Sequence, residues 1–323
     1  MKFPFQINET EASRMFPIDY AGLAREAHGK SKLAANDAKK IGLLAIDVQG
    51  TFCVPSGELF VSGAPADTVR SVRFLEGNFD AITQIACTMD THRPYQIFHP
   101  SFLVDEAGNH PAPFTPIPVA DVKAGKWKVN PAVPFAVLGK PDAYMAMQQW
   151  LVHYCEQLEA ASRYTLFIWP YHAMIGGINH ALVSMWEQAI YMHSIARGTE
   201  VRFETKGGNG LSENYSVLRP EVLTDPSGRP MLQKNIGFIE ALLKFDLLVI
   251  LGQAKSHCVA WTIYDLLAEI KSRDPKLAQK VAIVGDCTSS VTGFETQGDA
   301  AFADFQAAGM RIIDSNTDVR SLV

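Results

Sequence analysis

Short, continuous apolar runs recur along the chain, each closed by a polar or glycine residue. The run at 41–46, IGLLAI, ends in Asp47, and the run at 82–89 ends in Asp90. Residues 164–169, YTLFIW, lead into Pro170, Tyr171 and His172, and 246–251 end at Gly252; a strand without such a run is also expected at 200–205, ending at Lys206. Runs that are apolar at almost every position are the pattern of parallel strands buried on both faces. Two more follow at 280–285 and 310–314. Between the runs, apolar positions at helical spacing predict helices over 68–79 (capped by Asp67), 142–162, 178–196, 233–244, 257–272 and 295–307. The alternation implies an α/β fold: a three-layer, open, mostly parallel six-stranded sheet with helices on both faces. Its crossovers are right-handed and its functional edge lies at the strands' carboxyl ends.

Two stretches stand outside this alternation. Residues 1–40 are polar to mildly amphipathic and carry no strand signal, so an extension packed on the body or on a neighbouring subunit is expected. From about 100 to 140 the chain holds many prolines and no sustained period, which reads as an insertion folded over the body, as a lid would be. The expected organisation is therefore an extension at 1–40 and one domain over 41–323 that carries the insertion.

With 323 residues, of which 47% are hydrophobic and 20% charged, the chain can bury a large core. A formal net charge of −5 argues against broad nucleic-acid or acidic-membrane binding, since either would need a basic face. The cysteines at 53, 87, 155, 258 and 287 are odd in number, far apart and without CxxC spacing. A disulfide framework or zinc knuckle is therefore not expected, and a reducing compartment is. The first residues lack an apolar segment of signal-peptide length, and no run approaches the ~18 apolar residues of a membrane span. A cytoplasmic location is expected.

The strand ends deliver, in order, Asp47, Asp90 with His92, His172, Lys206 and Cys258. Cys258 sits where the run at 246–251 gives way to helical spacing. There a thiol meets the positive end of a helix dipole and free backbone N–H groups, which favour the thiolate and could hold an oxyanion. Taken singly, each of these residues has a plainer explanation: a small apolar core cysteine, helix-capping aspartates, a satisfied loop histidine, a solvated lysine. Their placement at one edge favours chemistry, because burial there perturbs pKa values.

IDVQGTFCVPSGELFVSGA at 46–64, TMDTHRP at 88–94, WPYHAMIGG at 169–177, TKGGNGLSENYSVL at 205–218 and LGQAKSHCVAWT at 251–262, in this order, resemble the isochorismatase-like cysteine hydrolases. Among these the nicotinamidases are most similar. The resemblance spans most of residues 41–314 and leaves out the extension and the insertion. It implies a triad of Asp47, Lys206 and Cys258, and a non-proline cis peptide at Gln253–Ala254 that turns the N–H groups of Ala254 and Cys258 into an oxyanion hole. It further implies a metal held by Asp90, His92 and His172, with Zn²⁺ expected and Fe²⁺ or Mn²⁺ as alternatives. Phe52, Trp169 and Tyr215 match aromatic positions around a substrate ring.

The implied activity is hydrolysis of nicotinamide, or a close aromatic carboxamide, to the acid and ammonia through a thioester. The alternatives are an amidase for ureido or carbamoyl compounds and a non-catalytic binding protein on the same fold. A small-molecule amide is the expected partner, and a homo-oligomer, dimer or tetramer, the expected assembly. The chain departs from the pattern at Thr51, where an acid is usual, at Gln96, where a histidine often follows the DxH pair, and at AKSH before Cys258. For the metal a three-ligand set is favoured, with His99 and the more distant His110 as possible fourth ligands.

Overall fold

The computed structural model describes residues 1–160 and 164–323. Six parallel strands form the central sheet: β1 (Ile41–Ile46), β2 (Gln84–Asp90), β3 (Arg202–Lys206), β4 (Leu247–Gly252), β5 (Val281–Val284) and β6 (Arg311–Ile313), in the order β6-β5-β4-β1-β2-β3. The chain builds outward from β1 to β3, then returns to place β4 on the other side of β1. The switch point of the sheet thus lies between β1 and β4, where open α/β sheets bind ligands beyond the carboxyl ends.

Every residue of β1 and β4 is buried because successive side chains enter two different cores. Leu44, Ile46, Leu248 and Ile250 pack with helices α2 (Tyr144–Ala160), α4 (Ile236–Leu243), α5 (Ala260–Arg273) and α6 (Glu295–Ala307). Leu43, Ala45, Val249 and Leu251 pack with α1 (Ala64–Gly77), α3 (Ser184–Arg197) and the N-terminal segment. The edge strand β3 is different: Phe203 is exposed and Lys206 is buried, the alternation of a strand with one open face.

The run at 164–169 is not a strand of this sheet. Only Leu166–Phe167 is extended, and it pairs antiparallel with Pro116–Ile117 of the insertion. The free edge of β2 is taken by β3, in a register that sets Asp90 opposite Lys206, so His172 comes from a loop and not from a sheet-strand end. Three helix expectations also shift. α1 begins at Ala64 with Pro65 in its first turn, so Asp67 lies inside the helix and does not cap it; its carboxylate accepts from Gln253 and Arg70. Residues 178–180 form a separate 3₁₀ turn before α3 begins at Ser184. The helix expected at 257–272 opens with a π turn, Lys255–Val259, that contains Cys258. The end of the helix expected at 142–162 lies outside the described residues.

The insertion packs its apolar side chains inward. Phe102, Leu103, Ile117, Val122, Val129 and Val133 are buried in the same core as α2. At about 1.5–3 kcal/mol for each fully buried aliphatic or aromatic side chain, these contacts hold the segment against the body. Leu103–Val104 pairs with Lys128–Val129 to close it on itself. The extension carries two helices, Glu9–Ala12 and Tyr20–Ala27, which pack on α1 and α3.

Candidate active site

Asp47 follows β1 with φ +48°, a left-handed conformation that costs a non-glycine residue energy and that clusters at functional sites. Thr88 on β2 fixes it from both ends: the Asp47 N–H donates to Thr88 Oγ1 at 3.1 Å, and the hydroxyl donates to the Asp47 carboxylate. Gln49 clamps the neighbouring strand end, with its amide donating to the Asp90 carbonyl at 2.9 Å and accepting from the Asp90 N–H at 2.7 Å. The two aspartates are thereby held in register at the sheet's edge.

Lys206 joins them. Its Nζ lies 2.9 Å from Asp47 Oδ2, 2.9 Å from Asp90 Oδ1 and 3.5 Å from Cys258 Sγ, and all four side chains are buried. Burial works against a charged lysine, but Asp47, Asp90 and Cys258 outweigh it and hold the ammonium well above the usual lysine range. Burial raises Asp47 above its ordinary range against the opposing charge of Lys206. Burial also raises the Cys258 thiol; Lys206 opposes this and Asp47 adds to it. Asp47, a base of raised proton affinity, thus stands beside the thiol and the ammonium.

The strand preceding Cys258 ends in Gly252, at φ +122°, where an added Cβ would lie 2.0 Å from the Ile46 carbonyl oxygen. Only glycine permits this close approach of β4 to β1. The Gln253–Ala254 peptide is cis, and Ala254 and Cys258 both line a cavity of about 30 Å³. Phe52, Trp169 and Tyr215 line it too, as do Asp90, His92 and His172. The Trp169 indole N–H donates to Tyr215 Oη at 2.8 Å, and the Phe52 ring meets the His172 ring edge-on with centroids 5.7 Å apart. All the residues expected at the site from sequence thus stand around one cavity or directly behind its wall.

Three imidazoles converge beside Asp90. His92, His99 and His172 place ring nitrogens within 4.8 Å of one another. Each has its Nδ1 against a backbone carbonyl: His92 at 3.1 Å from the His172 oxygen, His99 at 3.1 Å from Arg93, and His172 at 2.8 Å from Pro170. A carbonyl only accepts, so each Nδ1 carries the proton and each Nε2 keeps a lone pair. His99 Nε2 is buried with no hydrogen-bond partner, and burial together with the neighbouring imidazoles lowers its pKa to about 2. His92 Nε2 lies 2.9 Å and His172 Nε2 3.6 Å from the Asp90 carboxylate. Lone pairs gathered around a buried carboxylate fit a divalent cation, with the backbone carbonyls orienting the rings as outer partners. His110 bonds the Leu103 carbonyl on the surface and stands outside this group.

Thr51 and Gln96 support this geometry. Thr51 Oγ1 accepts from the Ala173 N–H at 3.1 Å, beside His172. Gln96 donates to the Gly207 carbonyl at 2.6 Å. Gly207 has φ +81°, and a Cβ there would lie 2.6 Å from His92 Nε2, so Gln96 braces a loop that must stay glycine to clear the imidazole. Sequence reasoning passed over Glu213, which lines the cavity, is buried and leaves Oε2 without a hydrogen-bond partner. An acid two residues before a pocket tyrosine, in a stretch with no apolar period, was its one available signal.

No protein-family model and no curated protein sequence matches the chain. Solved structures do. A nicotinamidase/pyrazinamidase of Acinetobacter baumanii is similar with a TM-score of 0.51 and 17% identity, over 87% of this chain and 98% of that one. A yeast nicotinamidase is similar with a TM-score of 0.50 and 14% identity, over 85% and 99% respectively. The chain thus shares the fold of these two structures. Among the described residues, no helix is long and apolar enough to cross a membrane.

Proposed function

We propose that the protein is a metal-dependent cysteine amidohydrolase that converts nicotinamide, or a close aromatic carboxamide, to the acid and ammonia. The observation that carries this reading is Lys206, whose buried ammonium touches Asp47, Asp90 and Cys258 at once. Asp47 takes the thiol proton of Cys258 while Lys206 steadies both anions, and the thiolate attacks the amide carbonyl carbon. The N–H groups of Ala254 and Cys258 receive the oxyanion. Asp47 returns the proton to the departing ammonia, leaving a thioester on Cys258. A water molecule, deprotonated by Asp47, then hydrolyses the thioester; the acid leaves and the thiol is restored.

Phe52 and Trp169 flank the ring during these steps, and Tyr215 holds the indole in place. Asp90, His92, His99 and His172 fit a divalent metal, Zn²⁺ or alternatively Fe²⁺ or Mn²⁺, through their lone-pair nitrogens and carboxylate. When bound there, the ion supplies a Lewis-acidic anchor for a ring nitrogen and for water.

The test follows ammonia release from nicotinamide, pyrazinamide and ureido compounds by the parent and by Cys258→Ala. Release from the two aromatic amides is expected, with a loss of about 10⁴-fold or more in the variant. Release only from ureido compounds, or turnover surviving in Cys258→Ala, would overturn the reading.

A further inference from the structure

The catalytic cavity, at about 30 Å³, is far smaller than the ~300–1,000 Å³ of ordinary ligand pockets. A second cavity of about 290 Å³ shares its wall, since Trp169, Tyr215 and His257 line both. Beyond that partition the second cavity is strongly aromatic, with Phe167, Trp261 and Phe294 among its walls. Among the described residues that line it, none is an acid, a lysine or an arginine.

The partition is built from few contacts. The Trp169–Tyr215 hydrogen bond forms one part. The His257 ring forms the other, with centroids 5.3 Å from Trp169, 5.3 Å from Tyr215 and 4.7 Å from Phe294. Ser256 Oγ holds His257 Nδ1 at 2.9 Å. Burial lowers this imidazole to about 4, so near neutral pH the partition presents no charge to either cavity. Because His257 immediately precedes Cys258, the second cavity begins one residue from the nucleophile.

We propose that the second cavity is a substrate subsite, and that the preferred substrate is a primary carboxamide whose ring bears a further flat aromatic group. The carboxamide meets Cys258 and the distal ring enters the aromatic chamber past His257. This rests on the amidohydrolase reading and narrows it to larger biaryl or fused aromatic acyl groups. A chamber whose described lining is uncharged and aromatic recognises such a ring by offset and edge-on stacking and rejects charged extensions.

The experiment compares kcat/KM for nicotinamide with that for 5- and 6-phenylnicotinamide. It uses the parent and two variants that fill the chamber, Thr165→Phe and Gln297→Trp; both positions line the second cavity and not the first. At least one phenyl isomer is expected to exceed nicotinamide by about tenfold or more, mostly through KM. Either filling variant is expected to remove that advantage and leave nicotinamide turnover unchanged. Phenyl amides no better than nicotinamide, or an advantage that survives both variants, would overturn the subsite.

If no amide at all is hydrolysed, the amidohydrolase reading fails on its own account. Binding of 5- and 6-phenylnicotinic acid to Cys258→Ala, followed by tryptophan fluorescence, then decides the chamber. Binding of either acid that is lost in the Cys258→Ala/Gln297→Trp double variant keeps the chamber as an aromatic subsite. Absence of binding by both removes it as well.

Discussion

His92, His99 and His172 come from different turns of the chain and use one device, a backbone carbonyl accepting a hydrogen bond from Nδ1–H so that Nε2 faces its neighbours with a lone pair. Three such lone pairs beside a carboxylate are costly without a cation, because buried acceptors lose water and gain nothing in return. His99→Ala is therefore expected to lower affinity for Zn²⁺, Fe²⁺ or Mn²⁺ by about 10–100-fold, as loss of a ligand-orienting or ligating group does. Elemental analysis of parent and variant after loading and dialysis checks this, and equal metal content would take His99 out of the set. Asp47 and Asp90 were legible in sequence because each ends an apolar run, and Lys206 and Cys258 because each follows an expected strand; a parallel sheet brings such ends to one edge. His99 was less so, since Pro100 and an aperiodic chain give no rule for where its ring returns. Glu213 had only its place two residues before Tyr215 to mark it, because its burial depends on Tyr154, Tyr215 and Glu221 being folded around it.

At the scale of elements, apolar runs identified every sheet strand but β3, and not which of the runs enter the sheet. YTLFIW is as apolar as IGLLAI, yet only Leu166–Phe167 is extended, outside the sheet, because β3 already occupies the free edge of β2. Competition between segments for one edge is a tertiary property that local pattern does not carry. The anchoring of the extension is similar. Arg197, at the end of α3, is fully buried; it donates to the Lys32 carbonyl at 2.6 Å and the Ile82 carbonyl at 3.3 Å, and to the Asp37 carboxylate. Sequence shows only an arginine at a helix end, a common surface feature. Removing one partner of a buried ion pair leaves the other uncompensated, so Arg197→Ala is expected to destabilise the fold by about 3–5 kcal/mol. Urea unfolding measures it, and a loss below about 1 kcal/mol would place the pair among ordinary surface contacts.

For the whole molecule, buried groups far apart in sequence combine to set how stability follows pH. Burial lowers His193 and His257 to about 4, against roughly 6.5 in an unfolded chain. Between those values the unfolded state binds protons that the folded state does not, so stability falls as pH drops from about 6.5 to 4. Glu213 has the opposite sign. Burial first, and then the charge of Glu221, hold its carboxyl well above the ordinary range. Its contribution is whole below about pH 4.3 and is lost as pH rises towards its folded value, at up to about 1.4 kcal/mol per pH unit. Above about pH 6.5 the histidine contributions are complete, and Glu213 lowers stability as pH rises. Glu213→Gln keeps the shape and removes the titration, so its stability relative to the parent is expected to rise with pH from about 4.3 up to the raised folded value of Glu213. Thermal unfolding of chelator-treated parent and variant across that range gives the difference directly, free of metal release. A difference that stays flat with pH would mean that Glu213 is ionised in the folded protein, and that its unpartnered oxygen meets a cation or solvent and not the closed wall of the cavity.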